Sequence, residues 1–204
     1  MKRKGFTLIE LLIVITLLGI LAVAVLSAIN PIEQINRSRD TATRSDAEQL
    51  INAIDRFYAT QGYYPWQTGA TDAEHRGVGF IKVSSDWKDD GGSGDGVLQK
   101  LTEGGTAELK QSFVDRITKE DYNHLYIYNN GTQGDSTYVC FVPKSGAFEK
   151  EAQDRCNDLG GLPGDFPGVP EEGEIGNGVT KPCKVCDPTA DCDGKGSEVW
   201  SCLP

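Results

Sequence analysis

The side chains able to do chemistry in this 204-residue chain are few, and they sit towards its two ends. Near the start, Glu10 is the one charge in an apolar run from Phe6 to Ile29. At a rise of ~1.5 Å per residue that run makes a helix of about 36 Å, longer than the ~30 Å hydrocarbon core of a bilayer. An acidic side chain at the centre of a span costs roughly 2.5–3.5 kcal/mol on insertion scales, so the carboxylate calls for a partner. Towards the other end lie Cys140, Cys156, Cys183, Cys186, Cys192 and Cys202. The last four follow the spacing C-x2-C-x5-C-x9-C, with Asp187, Asp191 and Asp193 among them.

Four cysteines so close together fit a zinc site, a redox pair or a disulfide staple. A zinc ribbon needs its second CxxC about 15–20 residues after the first, which these gaps do not supply. A redox CxxC needs a strand-to-helix setting, which is absent around Cys183 and Cys186. Outside the membrane the thiols oxidise, so the expectation is disulfides. Of the 15 pairings open to six cysteines, Cys140–Cys156 is favoured, tying a hairpin to the helix after it, with Cys183, Cys186, Cys192 and Cys202 paired among themselves. The chain has two histidines, His75 and His124, read as loop and strand surface residues. No nucleophile–base motif, phosphate loop or metal-ligand pattern is present, so an anchored enzyme finds little support. With 30 acidic against 20 basic residues and a formal charge of −10, the surface repels phosphate backbones, and no nucleic-acid partner is expected.

The elements that position these groups are legible from periodicity. Asn30-Pro31 predicts a kink or short break after the apolar run. Beyond it, Ile32, Ile35, Ala42, Leu50, Ile51, Ile54, Phe57 and Tyr58 recur at helical spacing, with Arg37, Arg39, Asp40, Arg44, Asp46 and Glu48 between them. That pattern predicts an amphipathic helix, ended by Gly62 and Pro65. VGFIKV (78–83) reads as a strand, and DWKDDGGSGDG (86–96) as a solvated loop without EF-hand spacing. VLQKLTE and TAELKQSFVDRI have helical spacing. HLYIYNN (124–130) and TYVCFVP (137–143) form a hairpin with Asn130-Gly131 as turn material. AFEKEAQDRCNDLGG (147–161) is a helix. The Gly/Pro-rich stretch 161–182 is a linker to a cysteine-rich segment, 183–204. The fold class is α+β: a long kinked N-terminal helix, half membrane-spanning and half amphipathic, packed on a small antiparallel sheet with a disulfide-stapled C-terminal region.

The orientation of the span follows from Lys2, Arg3 and Lys4, which place the N-terminus in the cytoplasm and the rest outside. An ordinary signal peptide could be cut near Ala22, Ala24 or Ser27-Ala28, but the apolar run exceeds the usual 7–15 residues and Glu10 would serve no purpose in it. A plain single-pass anchor leaves Glu10 equally unexplained. The stretch KRKGFTLIELLIVITLLGILA resembles the N-terminus of type IV pilins and type II secretion pseudopilins. The resemblance is specific over residues 2–30, weaker to about residue 66, and only architectural beyond.

The resemblance implies that a prepilin peptidase removes residues 1–5 by cutting after Gly5, and that the same enzyme N-methylates Phe6. It makes Glu10 an assembly residue that pairs with the amine of Phe6, in the family that of a neighbouring subunit. Residues 6–30 then serve first as a span and later as a filament core, with 31–160 as the soluble head. Implied partners are the peptidase, copies of the chain and other pilins, the pilus assembly platform and the membrane. The place of action is the cytoplasmic (inner) membrane and then an extracellular or periplasmic filament. No cofactor is expected, with calcium at Asp187, Asp191 and Asp193 the one candidate, since a C-terminal loop binds it in some pseudopilins. The alternative function is a membrane-anchored surface binding or adhesion module using the cysteine-rich region.

Overall fold

Proline, asparagine and glycine divide the first sixty residues as their backbone chemistry requires. The computed structural model describes residues 5–28, 30–89, 94, 96–103, 107–157 and 200–204. Within them, helix α1 runs Leu8–Ala28 and α2 runs Pro31–Gln61. Asn30 between them is extended (φ −79°, ψ 99°), and its side chain accepts from the Glu33 N–H at 3.3 Å. Asn30 therefore caps a new helix, and Pro31, which has no N–H to lose, occupies its first position. The long helix is two helices in series. Gly62 ends α2 at φ 78°, a left-handed conformation open to glycine, with its N–H on the Tyr58 carbonyl at 2.8 Å.

The remaining elements are β1 (Val78–Lys82), α3 (Val97–Thr102), α4 (Gln111–Ile117), β2 (Tyr126–Asn129), β3 (Tyr138–Phe141), α5 (Gly146–Asn157) and β4 (Ser201–Leu203). The four strands form one antiparallel sheet in the order β1-β2-β3-β4. The hairpin expected over 124–143 is present as β2 and β3, and Gly131 and Gly134 in its turn take φ of 85° and 98°. A Cβ on Gly131 would stand 2.6 Å from the Gly77 nitrogen, so the turn is pressed against the chain leading into β1.

Period-two alternation sorts the sheet into two faces. Ile127, Val139, Phe141 and Leu203 join the main core with Leu50, Ile54 and Phe57 of α2. Tyr138, Cys140, Trp200 and Cys202 form a second cluster with Phe80, against which Tyr126 and Tyr128 pack. Val78 and Phe80 of β1 would share a face in a regular strand, yet they enter different clusters. The cause is the register: Val78 pairs Asn129 and Ile81 pairs Ile127, so β1 carries one extra residue, a bulge that turns Phe80 over.

The amphipathic reading of α2 needs correction along its first half. Ile32 and Ile35 are 68% and 53% exposed and Ala42 is exposed as well, and in the last turn Tyr58 is 43% exposed. Asp40 and Asp46, expected on the outer face, are buried instead, as is Thr43. The head covers this part of α2 with polar groups. Asp40 accepts from the backbone N–H of Lys144 (3.0 Å) and Ser145 (2.7 Å) and from the Ser145 hydroxyl (2.6 Å). Ser145 Oγ in turn accepts from the Phe148 N–H in the first turn of α5, at 3.4 Å. One turn pair earlier, Glu33 accepts from the Gly146 and Ala147 N–H groups, each at 3.3 Å. Glu33 thus satisfies two N-terminal donors of α5 and Asp40 the two N–H groups just before it, where negative charge is favoured.

Asp46 holds Arg116 of α4 in a bidentate pair at 2.7 and 2.8 Å, and also accepts from the Tyr122 hydroxyl. Burial, and then the hydrogen bond to Asp46, push the Tyr122 phenol up to about 12. An unfolded tyrosine titrates near 10. The stability this contributes is present below about pH 10 and is lost as pH rises through 12. Unfolding midpoints measured from pH 9 to 12 will fall more steeply for the parent chain than for Tyr122→Phe, and equal slopes would refute the assignment.

The stretch 86–96 is not a solvated loop over its described part. Trp87 and Asp89 are buried, and Lys88 and Gly96 form a β-bridge. Asp89 pairs with Lys100 of α3, which also donates to the Gln67 carbonyl at 2.9 Å. The predicted helix over 106–117 begins later, at Gln111, because the Glu108 and Leu109 N–H groups turn back onto the Leu101 carbonyl.

Candidate functional site

The N-terminal site is built from a short extended stretch and one long apolar helix. Residues 5–7 are non-helical, and Phe6 is 85% exposed. Thr7 precedes α1 as its cap. Its N–H and its hydroxyl both donate to Glu10 Oε2 at 2.8 Å, and the Glu10 N–H donates to Thr7 Oγ1 at 3.3 Å. This is a reciprocal capping box. Thr7 is thus a partner of Glu10 besides the Phe6 amine that the resemblance implies. The signal was present as T-x-x-E in FTLIE. The helix starts at Leu8, the Thr7 N–H is left without a helical acceptor, and a glutamate three residues on reaches back to it. Both contacts use Oε2, so Oε1 has no hydrogen-bond partner among the described residues.

Along α1 every large apolar side chain from Leu8 to Leu26 lies 48% or more exposed. Leu8–Leu26 is long and apolar enough to cross a membrane, with mean hydropathy 2.9 and none of it buried. At about 1.5–3 kcal/mol per buried Leu, Ile or Val, leaving this surface in water would cost about 20 kcal/mol or more, which exceeds the stability of an ordinary domain. The helix requires an apolar environment that the head does not provide.

The sequence profile of the prokaryotic N-terminal methylation motif matches residues 1–26. This chain carries a prepilin-type N-terminus. No curated protein and no solved structure gives a significant match. The prepilin motif covers Gly5, Phe6 and Glu10, and it fits a membrane-anchored precursor of the pilin and pseudopilin type. The pilin-type family in which the motif occurs is a structural one.

The C-terminal candidates fare differently. Cys140 is bonded to Cys202, not to Cys156. The reason is the registry of the sheet: Cys140 on β3 lies directly opposite Cys202 on β4, with Cα atoms 4.0 Å apart. Residues 200–204 thus return to the head and complete its sheet, and Trp200 and Cys202 alternate with Ser201 and Leu203 as a strand requires. The signal for β4 was that alternation, hidden inside a cysteine motif. Cys183, Cys186, Cys192, Asp187, Asp191 and Asp193 lie outside the described residues, as does the stretch 161–182.

His75 sits in a loop and contacts Asp72 through Nδ1 at 2.9 Å. His124 is half-buried just before β2, with Nε2 at 3.1 Å from Lys82 Nζ. Burial first, and then Lys82 and Lys144, push the His124 imidazole down, so it favours the neutral form. The two histidines belong to separate surroundings. The concavity between the end of α2 and the hairpin turn is lined by residues that include Tyr58, Tyr64, Gln67 and Arg76, and among the described residues none with a carboxylate, imidazole or thiol lines it.

Proposed function

We propose that this chain is a structural subunit, a pilin or pseudopilin, of a type IV pilus-like or type II secretion-like filament. It is cut after Gly5, N-methylated on Phe6, held in the cytoplasmic membrane by α1 with its N-terminus inside, and assembled through α1 with copies of itself and other pilins. The observation that carries this reading is a methylation motif seated on a helix whose apolar surface is wholly exposed. A helix leaving lipid can bury that surface only against other apolar helices, and copies of itself supply them.

Two local features support the assignment of roles. Gly5 and Phe6 lie in non-helical, exposed chain, and a side chain at position 5 would meet nothing within 4 Å, so a peptidase can reach the bond. Among the described residues Glu10 Oε1 has no partner while Oε2 caps Thr7, leaving an acceptor for the Phe6 amine of a neighbour. The pair would fix the axial register of one subunit on the next.

Mass spectrometry of the mature N-terminus tests the reading. The expected product begins at Phe6 and carries one N-methyl group. An intact Met1, or a start near Ile29, overturns it. In the same assay Glu10→Ala is expected to insert and be processed but to yield few filaments, and a normal filament yield would remove Glu10 from assembly.

A further inference from the structure

A row of stacked rings leads from the core of the head to its surface. Trp87, Trp66, Tyr64 and Tyr58 follow one another with centroids 6.2, 4.6 and 4.5 Å apart and planes tilted by 18°, 5° and 28°. The two tryptophans are buried, whereas Tyr58 leaves 43% of its surface open. Tyr58 and Tyr64 form one wall of the hollow between the end of α2 and the hairpin turn, which Arg76 and Gln133 also line. Gln67 in the same hollow is held in place, since its oxygen accepts from the Tyr64 N–H at 2.8 Å and its amide donates to the Asp72 carbonyl. Arg76 and Gln133 are exposed, and among the described residues neither side chain has a hydrogen-bond or ion-pair partner. Gly131, pressed against Gly77, holds the turn close to the chain that carries Arg76.

We propose that this hollow binds one neutral pyranose unit of a polysaccharide. A pyranose has a face of C–H groups and a rim of hydroxyls. Tyr58 offers the first a flat apolar surface, fixed by the rings behind it, while Arg76 supplies donors and Gln133 both donors and an acceptor for the second. An aromatic wall with a few convergent polar groups is what a small-molecule site requires. The surroundings set the charge of the ligand. Arg76 is the one charged residue lining the hollow among those described, but Asp55 lies one turn before Tyr58 and Glu74 two residues before Arg76. Asp135, in the turn itself, accepts from the Thr132 N–H at 3.1 Å. These carboxylates offset the guanidinium, so an acidic sugar gains nothing over a neutral one. Tyr58 stands about 40 Å along α2 from Pro31, at the end remote from α1, which favours a soluble or wall-borne glycan over a lipid headgroup. Binding by a lone subunit needs no filament. A site for a single ring gives a Kd of about 1 mM, which repetition on neighbouring copies raises through avidity.

The test uses the full chain in phosphatidylcholine nanodiscs, free of sugar-based detergent. It is applied to an array of neutral oligosaccharides of glucose, galactose, mannose and N-acetylglucosamine, beside their uronic-acid counterparts. Saturation-transfer NMR then titrates the glycans retained. At least one neutral glycan should bind, and Tyr58→Ala and Arg76→Ala should each weaken it about tenfold. Tyr58→Phe, and His124→Ala at the opposite end of β2, should leave binding unchanged. Tryptophan fluorescence during unfolding confirms that the variants are folded, and Arg76, being exposed, carries the test if Tyr58→Ala destabilises the head. Retention of no neutral glycan above empty nanodiscs would overturn the proposal. So would tighter binding of the uronic-acid forms, or binding that ignores Arg76→Ala. Filaments with N-methylated Phe6 but no glycan binding would sink this inference and leave the proposed function standing.

Discussion

Asp40→Ala should lower the stability of the head by about 3–5 kcal/mol, a large share of the 5–15 kcal/mol available to a domain. The side chain is fully buried and accepts from two backbone N–H groups and one hydroxyl. Alanine would leave those backbone donors buried without an acceptor at about 1–3 kcal/mol each, and would remove a negative charge from the start of α5. The three tryptophans, Trp66, Trp87 and Trp200, are all buried and report unfolding of the head directly. Denaturant titration followed by their fluorescence is the measurement. Asp40→Asn keeps one acceptor oxygen and should lose roughly 1–2 kcal/mol. A loss below 1 kcal/mol for alanine would show that water replaces the carboxylate without cost.

Removing the Cys140–Cys202 bond should cost about 4 kcal/mol on the chain-entropy account, because the bond closes a sequence separation of 62 residues. The pairing first expected, Cys140–Cys156, closes a far shorter loop and would be worth about 3 kcal/mol on the same account. Cys140→Ala with Cys202→Ala should also free β4 and move Trp200 into water, with a red shift of its emission. Peptide mapping without reduction should recover a Cys140–Cys202 peptide in the parent chain and in Cys156→Ser. A Cys140–Cys156 peptide would overturn the pairing.

The sequence was most legible where local chemistry decides the outcome. Asn30-Pro31 and Gly62 placed the ends of α2, and the aromatic and β-branched runs on either side of Asn130-Gly131 placed β2 and β3. It was least legible where distant partners decide. Nothing local marks Asp40 and Asp46 as buried, because their partners, Ser145, Arg116 and Tyr122, lie about 70 to 105 residues away in sequence. The same holds for Cys140, whose partner follows from a strand pairing that only the completed sheet defines. Glu10 stands out as a charge in an apolar run, and its contact with Thr7 is written locally in the four-residue pattern T-x-x-E.

The order of the strands also bears on when the head can finish folding. Synthesis runs from the N-terminus, so α2 and the β1-β2-β3 meander are made before residues 200–204. Until β4 arrives, β3 has an open edge, Cys140 has no disulfide partner, and Tyr138 and Phe80 lack Trp200 and Cys202 beside them. Closure of the sheet therefore waits for residues 200–204, and the oxidant that joins Cys140 to Cys202 acts only once they are made.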